Sequence, residues 1–131
     1  MKLIIGGRSQ GKLNYVLRNI DIEKSSVWDG KLPDSGQSEK LLEEMQIVIY
    51  HLHDFVRESM MQGKNPEKEI MDFLNRNPDC IIISDEIGNG IVPMDVFERE
   101  YREQTGRILI ALAKQADEVV RVICGIGQKI K

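Results

Sequence analysis

Near the start of the chain, Leu3-Ile4-Ile5 runs directly into Gly6-Gly7-Arg8-Ser9-Gln10-Gly11-Lys12, and residues 12 to 19 then read as a helix. An apolar strand that breaks into glycine and reopens as a helix is the opening of an α/β unit, which restricts the rest of the chain to alternating strands and helices. The spacing Gly6-x4-Gly11-Lys12 is that of a Walker A loop, whose backbone N–H groups surround phosphates while the lysine reaches their outer oxygens. Gly6, Gly7, Arg8, Ser9, Gln10, Gly11, Lys12 and Leu13 are therefore the candidate nucleotide-binding residues. The same letters also make an ordinary strand-to-helix turn, so the flanking strand and helix carry the assignment more than the spacing does. After the lysine, where a Ser or Thr hydroxyl normally ligates magnesium, stands Leu13, which offers no oxygen. Ser9 can hydrogen-bond a phosphate, and Asn14 comes one residue late to replace the lost ligand.

Further along, Gln46-Ile47-Val48-Ile49-Tyr50 reads as the next buried strand, residues 80 to 84 as the third and residues 118 to 124 as the last. Helices are expected over residues 39 to 45, 54 to 61, 66 to 76 and 95 to 116, with Asn65 capping and Pro66 opening the third and Asn77-Pro78 ending it. Residues 23 to 38, rich in turn formers, read mostly as loop, with at most residues 26 to 28 pairing as a strand and Trp28 anchoring the loop or stacking on a ligand. The order β-α-β-α-β-α-β with continuous apolar strands predicts a mainly parallel sheet covered by helices on both faces.

Two more motifs carry chemistry. Ile81-Ile82-Ile83-Ser84-Asp85-Glu86 is an apolar strand ending in two acids, the Walker B pattern in which Asp85 would hold magnesium through water and Glu86 would orient the nucleophile. Tyr50-His51-Leu52-His53-Asp54 contains both histidines of the chain at a strand end, where open α/β sheets bind ligands. His51 and His53 are either phosphate contacts, a general base or a guanylyl acceptor, or else two residues beside a helix that Asp54 caps. Phe97, Tyr101, Ile108 and Leu112 have core-stripe spacing, whereas Arg99, Arg102 and Arg107 are either a solvated face or phosphate ligands.

Composition excludes other classes. A net charge of -3 from 18 basic and 21 scattered acidic residues provides no basic stripe for nucleic acid. No apolar run approaches the ~20 residues that span a bilayer, and the apolar start is too short for a signal-peptide core, so a soluble cytoplasmic protein is expected. Cys80 and Cys124 lie in apolar stretches without metal-ligand spacing and read as buried thiols. The 131 residues fit a single domain, 1–131, large enough to fold without disulfides or a structural metal.

The run Ile83-Ser84-Asp85-Glu86-Ile87-Gly88-Asn89-Gly90-Ile91-Val92-Pro93, followed by Gly106-Arg107, Ala116-Asp117-Glu118-Val119-Val120 and Gly125-Ile126-Gly127-Gln128-Lys129-Ile130-Lys131, resembles the bifunctional adenosylcobinamide kinase and adenosylcobinamide-phosphate guanylyltransferase family. The resemblance covers the first 15 residues and the last 50 or so. It implies a RecA-like, three-layer P-loop fold, commonly assembled as a trimeric homo-oligomer, acting late in cobalamin biosynthesis or salvage. It further implies that a nucleoside triphosphate, GTP or ATP, phosphorylates the aminopropanol hydroxyl of a cobinamide-like corrinoid, and that GMP is then transferred through a guanylylated histidine. Gly6, Gly7, Ser9, Gly11 and Lys12 fall on the family's phosphate loop, and Glu86, Gly88, Gly90, Pro93, Arg102, Gly106 and Arg107 on its C-terminal signature.

The chain also departs from the pattern. Leu109-Ile110 replaces a polar Asn-Gln pair, and His51 and Asp54 stand where the family has a strand-end acid and a threonine. The middle stretch in which the family carries its guanylyl-accepting histidine is short and has no histidine, with only His53 and Arg57 echoing a His-x-x-x-Arg pattern. The resemblance thus reaches the kinase step more fully than the guanylyl transfer. The alternative expectation is a catalytically degenerate relative that binds nucleotide or corrinoid without turnover.

Overall fold

In the computed structural model, which describes residues 1–34, 36, 44–88 and 94–131, successive residues of the central strands face opposite helical layers. Leu3, Ile47, Ile49, Ile82 and Val119 pack on one side with Leu52, Val56, Ile70, Phe73, Ile108 and Leu112. Ile4, Val48, Ile81, Ile83, Val120 and Val122 pack on the other with Val16. Burying each such side chain is worth about 1.5–3 kcal/mol, which explains the continuous apolar runs at residues 3–5, 47–49 and 81–83.

The elements are β1 (Lys2–Gly6), α1 (Lys12–Arg18), a short 3-10 turn (Ile22–Lys24), β2 (Ser25–Asp29), β3 (Gln46–Tyr50), α2 (Leu52–Met61), α3 (Pro66–Arg76), β4 (Ile81–Asp85), α4 (Val96–Gln115), β5 (Glu118–Ile123) and β6 (Ile126–Lys129). They build one sheet in the order β2-β3-β4-β1-β5-β6. The first five strands are parallel, and β6 runs antiparallel to β5. This is the mainly parallel, three-layer P-loop architecture expected. Neighbouring strands β1 and β4 feed helices on opposite faces, α1 in one layer and α4 in the other. Such a divergence opens a crevice at the C-terminal strand ends. The helix signals at α3 hold: Asn65 Oδ1 accepts the Lys68 N–H at 3.2 Å and Pro66 opens the helix.

Several expectations need correction. Residues 25 to 29 form a full strand, β2, in register with β3 along its whole length. Trp28 therefore sits in a strand rather than a loop. As an edge strand exposing Val27 and Asp29, β2 lacks the apolar continuity that marks its neighbours. Residues 118 to 124 are not the last strand: β5 ends at Ile123, and Cys124 and Gly125, with φ of 50° and 76°, turn the chain into β6. Both turn residues have positive φ, as a two-residue type I′ hairpin requires, but Cys occupies the place where Asn is the usual signal. That turn leaves Cys124 exposed, while Cys80 is buried as expected. Helix α2 starts two residues early, at Leu52, with His51 at its N-cap in left-handed geometry (φ 57°), so Asp54 lies in the first turn and is not the cap. The helix expected over residues 39 to 45 falls largely outside the described residues, as do Gly90 and Pro93. Among the described residues no helix is long and apolar enough to cross a membrane.

Candidate functional site

The β1–α1 loop is shaped by two close approaches to the β5–β6 end of the sheet. A Cβ at Gly6 would lie 2.5 Å from the Val122 carbonyl oxygen, which only glycine avoids. Gly11, at φ 86°, caps α1 and passes so near Gly125 that a Cβ there would sit 3.3 Å from its Cα. Gln10 fastens the loop to the hairpin turn: its carbonyl accepts the Gly125 N–H and its side-chain Oε1 accepts the Cys124 N–H, both at 2.8 Å.

Lys12 turns back beneath this loop. Its ammonium donates to the Gly7 carbonyl at 2.6 Å and lies 2.7 Å from Asp85 Oδ1, with only 4% of the side chain exposed. The Glu86 N–H donates to the Gly6 carbonyl at 2.8 Å, so the ends of β1 and β4 are tied together where the two acidic and glycine-rich motifs meet. His53 grips Asp85 from the other side. The Asp85 N–H donates to His53 Nδ1 at 3.1 Å, which puts the ring proton on Nε2, 3.4 Å from Asp85 Oδ2. Burial holds His53 below the ordinary histidine pKa, although Asp85 and Asp54 pull the other way. Glu86 is not free at the floor of the site: Arg121 of β5 chelates it at 2.8 and 3.1 Å.

These residues line a cavity of about 1100 Å³, larger than the ~300–1000 Å³ typical of a single small-molecule site. Arg8, Ser9, Gln10, Gly11, Lys12 and Leu13 form one wall. The opposite wall is Arg57, Glu98, Tyr101 and Arg102. Arg57 makes a two-pronged pair with Glu98 at 2.6 and 2.8 Å, stacks 4.4 Å from the Tyr101 ring centre, and is held above the usual arginine range by the Glu98 hydrogen bond. The Tyr101 hydroxyl donates to the His53 carbonyl at 3.0 Å, and burial raises its pKa to about 12. Tyr50, raised by burial and the nearby Asp29, closes the side next to His51.

Of the residues expected from sequence, Arg8 to Leu13 of the glycine-rich loop, Asp85, Glu86, His51, His53, Gly88 and Arg102 thus converge on one cavity, whereas Gly6 and Gly7 shape the loop behind it. Arg107 does not: it is exposed and pairs with Glu103 one turn earlier. Tyr101, expected in the core stripe, serves both core and cavity. Arg121, Glu98 and Asp29 carried no motif, since each is recognisable only through the partner that the fold brings to it, and Arg57, noted in sequence only in a His-x-x-x-Arg echo with His53, is instead paired with Glu98.

A protein-family model described as cobinamide kinase / cobinamide phosphate guanyltransferase matches residues 22–130. The chain belongs to this family. The cobinamide kinase / guanyltransferase match begins after the Gly6–Lys12 loop, so the case for the loop stands on its own geometry. Over 51 residues the chain is 45% identical to the bifunctional adenosylcobalamin biosynthesis protein CobU of Salmonella typhimurium and 43% identical to that of Escherichia coli. Each alignment covers 39% of this chain and 28% of the relative.

A P-loop fold of this kind implies a magnesium ion beside the phosphates, and the donor set here does not fit a protein-held one. Leu13 presents carbon where the loop hydroxyl would be, Asp85 Oδ1 is taken by Lys12, and Glu86 is taken by Arg121. Among the described residues no group of three His, Cys, Asp or Glu side chains is placed to hold a metal.

Proposed function

We propose that the cavity binds a nucleoside triphosphate, GTP or ATP, with its phosphates on the Gly6–Lys12 loop, and transfers the terminal phosphoryl group to the aminopropanol hydroxyl of a cobinamide-like corrinoid. The observation that carries this is the buried Lys12–Asp85 pair at the junction of β1 and β4, opening into a cavity of about 1100 Å³. Lys12 would neutralise charge on the outer phosphate oxygens, and loop N–H groups would hold the remainder; positioning and charge stabilisation are most of what phosphoryl transfer asks of a protein. The family's C-terminal signature, present here from Glu86 onward, supports the corrinoid as acceptor.

Incubation of the protein with adenosylcobinamide and GTP or ATP should give the phosphorylated corrinoid, and Lys12→Ala should weaken triphosphate binding by about tenfold or more. Absence of triphosphate binding would overturn the nucleotide site, and binding without product would overturn the kinase. In the latter case the chain is a nucleotide- or corrinoid-binding relative without turnover, which the ion-paired Glu86 and the apolar Leu13 favour. Guanylyl transfer is read separately, as acid-labile label on His51 or His53 after exposure to labelled GTP.

A further inference from the structure

At the C-terminal ends of β2 and β3, beside the Gly6–Lys12 loop, His51 has a partner that no sequence motif announces, Asp29. Asp29 closes β2 and pairs in register with Tyr50 of β3, which places it next to the residue following Tyr50, His51. His51 Nδ1 lies 2.7 Å from Asp29 Oδ1. A carboxylate only accepts, so the ring proton sits on Nδ1 and the lone pair is on Nε2. The ring lines the cavity, is 30% exposed, and its Nε2 has no hydrogen-bond partner among the described residues. It is not free to wander: it stacks on Tyr50 with ring centres 3.6 Å apart and meets the His53 ring edge-on at 5.3 Å. The backbone is at φ 57°, in the left-handed region that residues other than glycine adopt uncommonly.

We propose that the Asp29–His51 dyad is the general base of the phosphoryl transfer, accepting the proton of the acceptor hydroxyl. The inference rests on the kinase reading above and adds a residue to it. Two strand spacings, about 10 Å, separate β3 from β1 in the sheet order, enough to seat a phosphoryl group on the loop and an alcohol oxygen between it and the imidazole. As the alcohol oxygen forms its bond to the γ-phosphorus, the bond from that phosphorus to the β-bridging oxygen breaks and its electron pair leaves with the nucleoside diphosphate. The hydroxyl proton moves to His51 Nε2. The imidazolium so formed faces two carboxylates, Asp29 at 2.7 Å and Asp54 Oδ2 at 3.8 Å. Tyr50 and the buried His53 are the other titratable groups against the ring. An aspartate that fixes tautomer and orientation while a second nitrogen faces the substrate is the arrangement general-base catalysis requires.

The test uses the whole chain with adenosylcobinamide and the triphosphate that it turns over. His51→Asn tolerates the left-handed backbone but has no basic nitrogen, and it should lower kcat by about 100-fold while leaving triphosphate affinity within about threefold. Asp29→Asn should lower kcat by about tenfold. His51→Gly, for which φ 57° is unstrained, should regain activity when imidazole is added, a rescue that a purely structural role cannot produce. Wild-type kcat in His51→Asn, or a folded His51→Gly that binds triphosphate and ignores imidazole, overturns the dyad and leaves the kinase standing. A wild-type protein that binds triphosphate and makes no product overturns both.

Discussion

Gln10 of the Gly6–Lys12 loop holds Cys124 of the β5–β6 turn, its side-chain oxygen accepting the Cys124 N–H at 2.8 Å while its own carbonyl accepts the next N–H, that of Gly125. The loop is thereby clamped to the far end of the sheet, over 100 residues away in sequence, and the pose of its N–H groups depends on that hairpin. Gln10→Ala removes the side-chain bond and keeps the carbonyl bond. It should cost about 1 kcal/mol, speed amide exchange at Cys124 and weaken triphosphate binding several-fold. Unchanged exchange at Cys124 would show that the clamp does not constrain the loop.

The Lys12–Asp85 pair, with side chains 4% and 15% exposed, should respond to substitution as a buried ion pair does. Asp85→Asn leaves the ammonium without its counter-charge and should destabilise the protein by about 3–5 kcal/mol, whereas Lys12→Met combined with Asp85→Asn should restore much of that loss. Urea denaturation of the two single variants and the double variant gives the cycle. Additive losses would mean that the two charges do not interact across the loop.

The two thiols should differ sharply. Burial pushes Cys80 up to about 12, while Cys124 is exposed at the hairpin turn. Iodoacetamide at neutral pH should modify one thiol per native chain, at Cys124, and both only after denaturation. Peptide mapping by mass spectrometry decides this, and early labelling of Cys80 would contradict the packing under β4.

His53 predicts the acid side of the stability profile. Burial, with smaller contributions from His51 and Lys12, keeps the ring neutral in the fold against the opposing pull of Asp85 and Asp54. Below about pH 6.5 the unfolded chain binds a proton that the folded one resists, so stability present above that pH is lost as pH falls through the lower folded value. His53→Gln should be less stable at neutral pH but should lose less between about pH 7 and pH 5. Urea midpoints measured across that range test it, and parallel curves for the two proteins would show that His53 is not the group responsible.

Much of this molecule was legible in its residues. Continuous apolar runs at Leu3, Ile47 and Ile81 marked strands covered on both faces, the Asn65-Pro66 and Asn77-Pro78 signals bounded α3, and the Gly6–Lys12 loop and the Asp85-Glu86 strand end lay where sequence reasoning put them. Patterns of this kind report on neighbours a few residues apart, through backbone geometry and one-sided burial. Elements stabilised from a distance left no such trace: β2 exists because β3 offers it a full ladder, and β6 because a Cys-Gly turn can fold the chain back on β5.

The same division runs through the site. Residue identity alone pointed to a glycine-rich loop, a pair of acids and two histidines gathering at the C-terminal strand ends, since a parallel sheet brings them there. Only the tertiary structure decided what each is free to do. Arg121 occupies Glu86, Lys12 occupies Asp85 Oδ1, and Asp29, reached through the register of β2 on β3, occupies His51 Nδ1. Those partners lie 22 to more than 70 residues apart, and a hydrogen bond or ion pair across such a distance is fixed by strand order and register, which no local sequence pattern encodes.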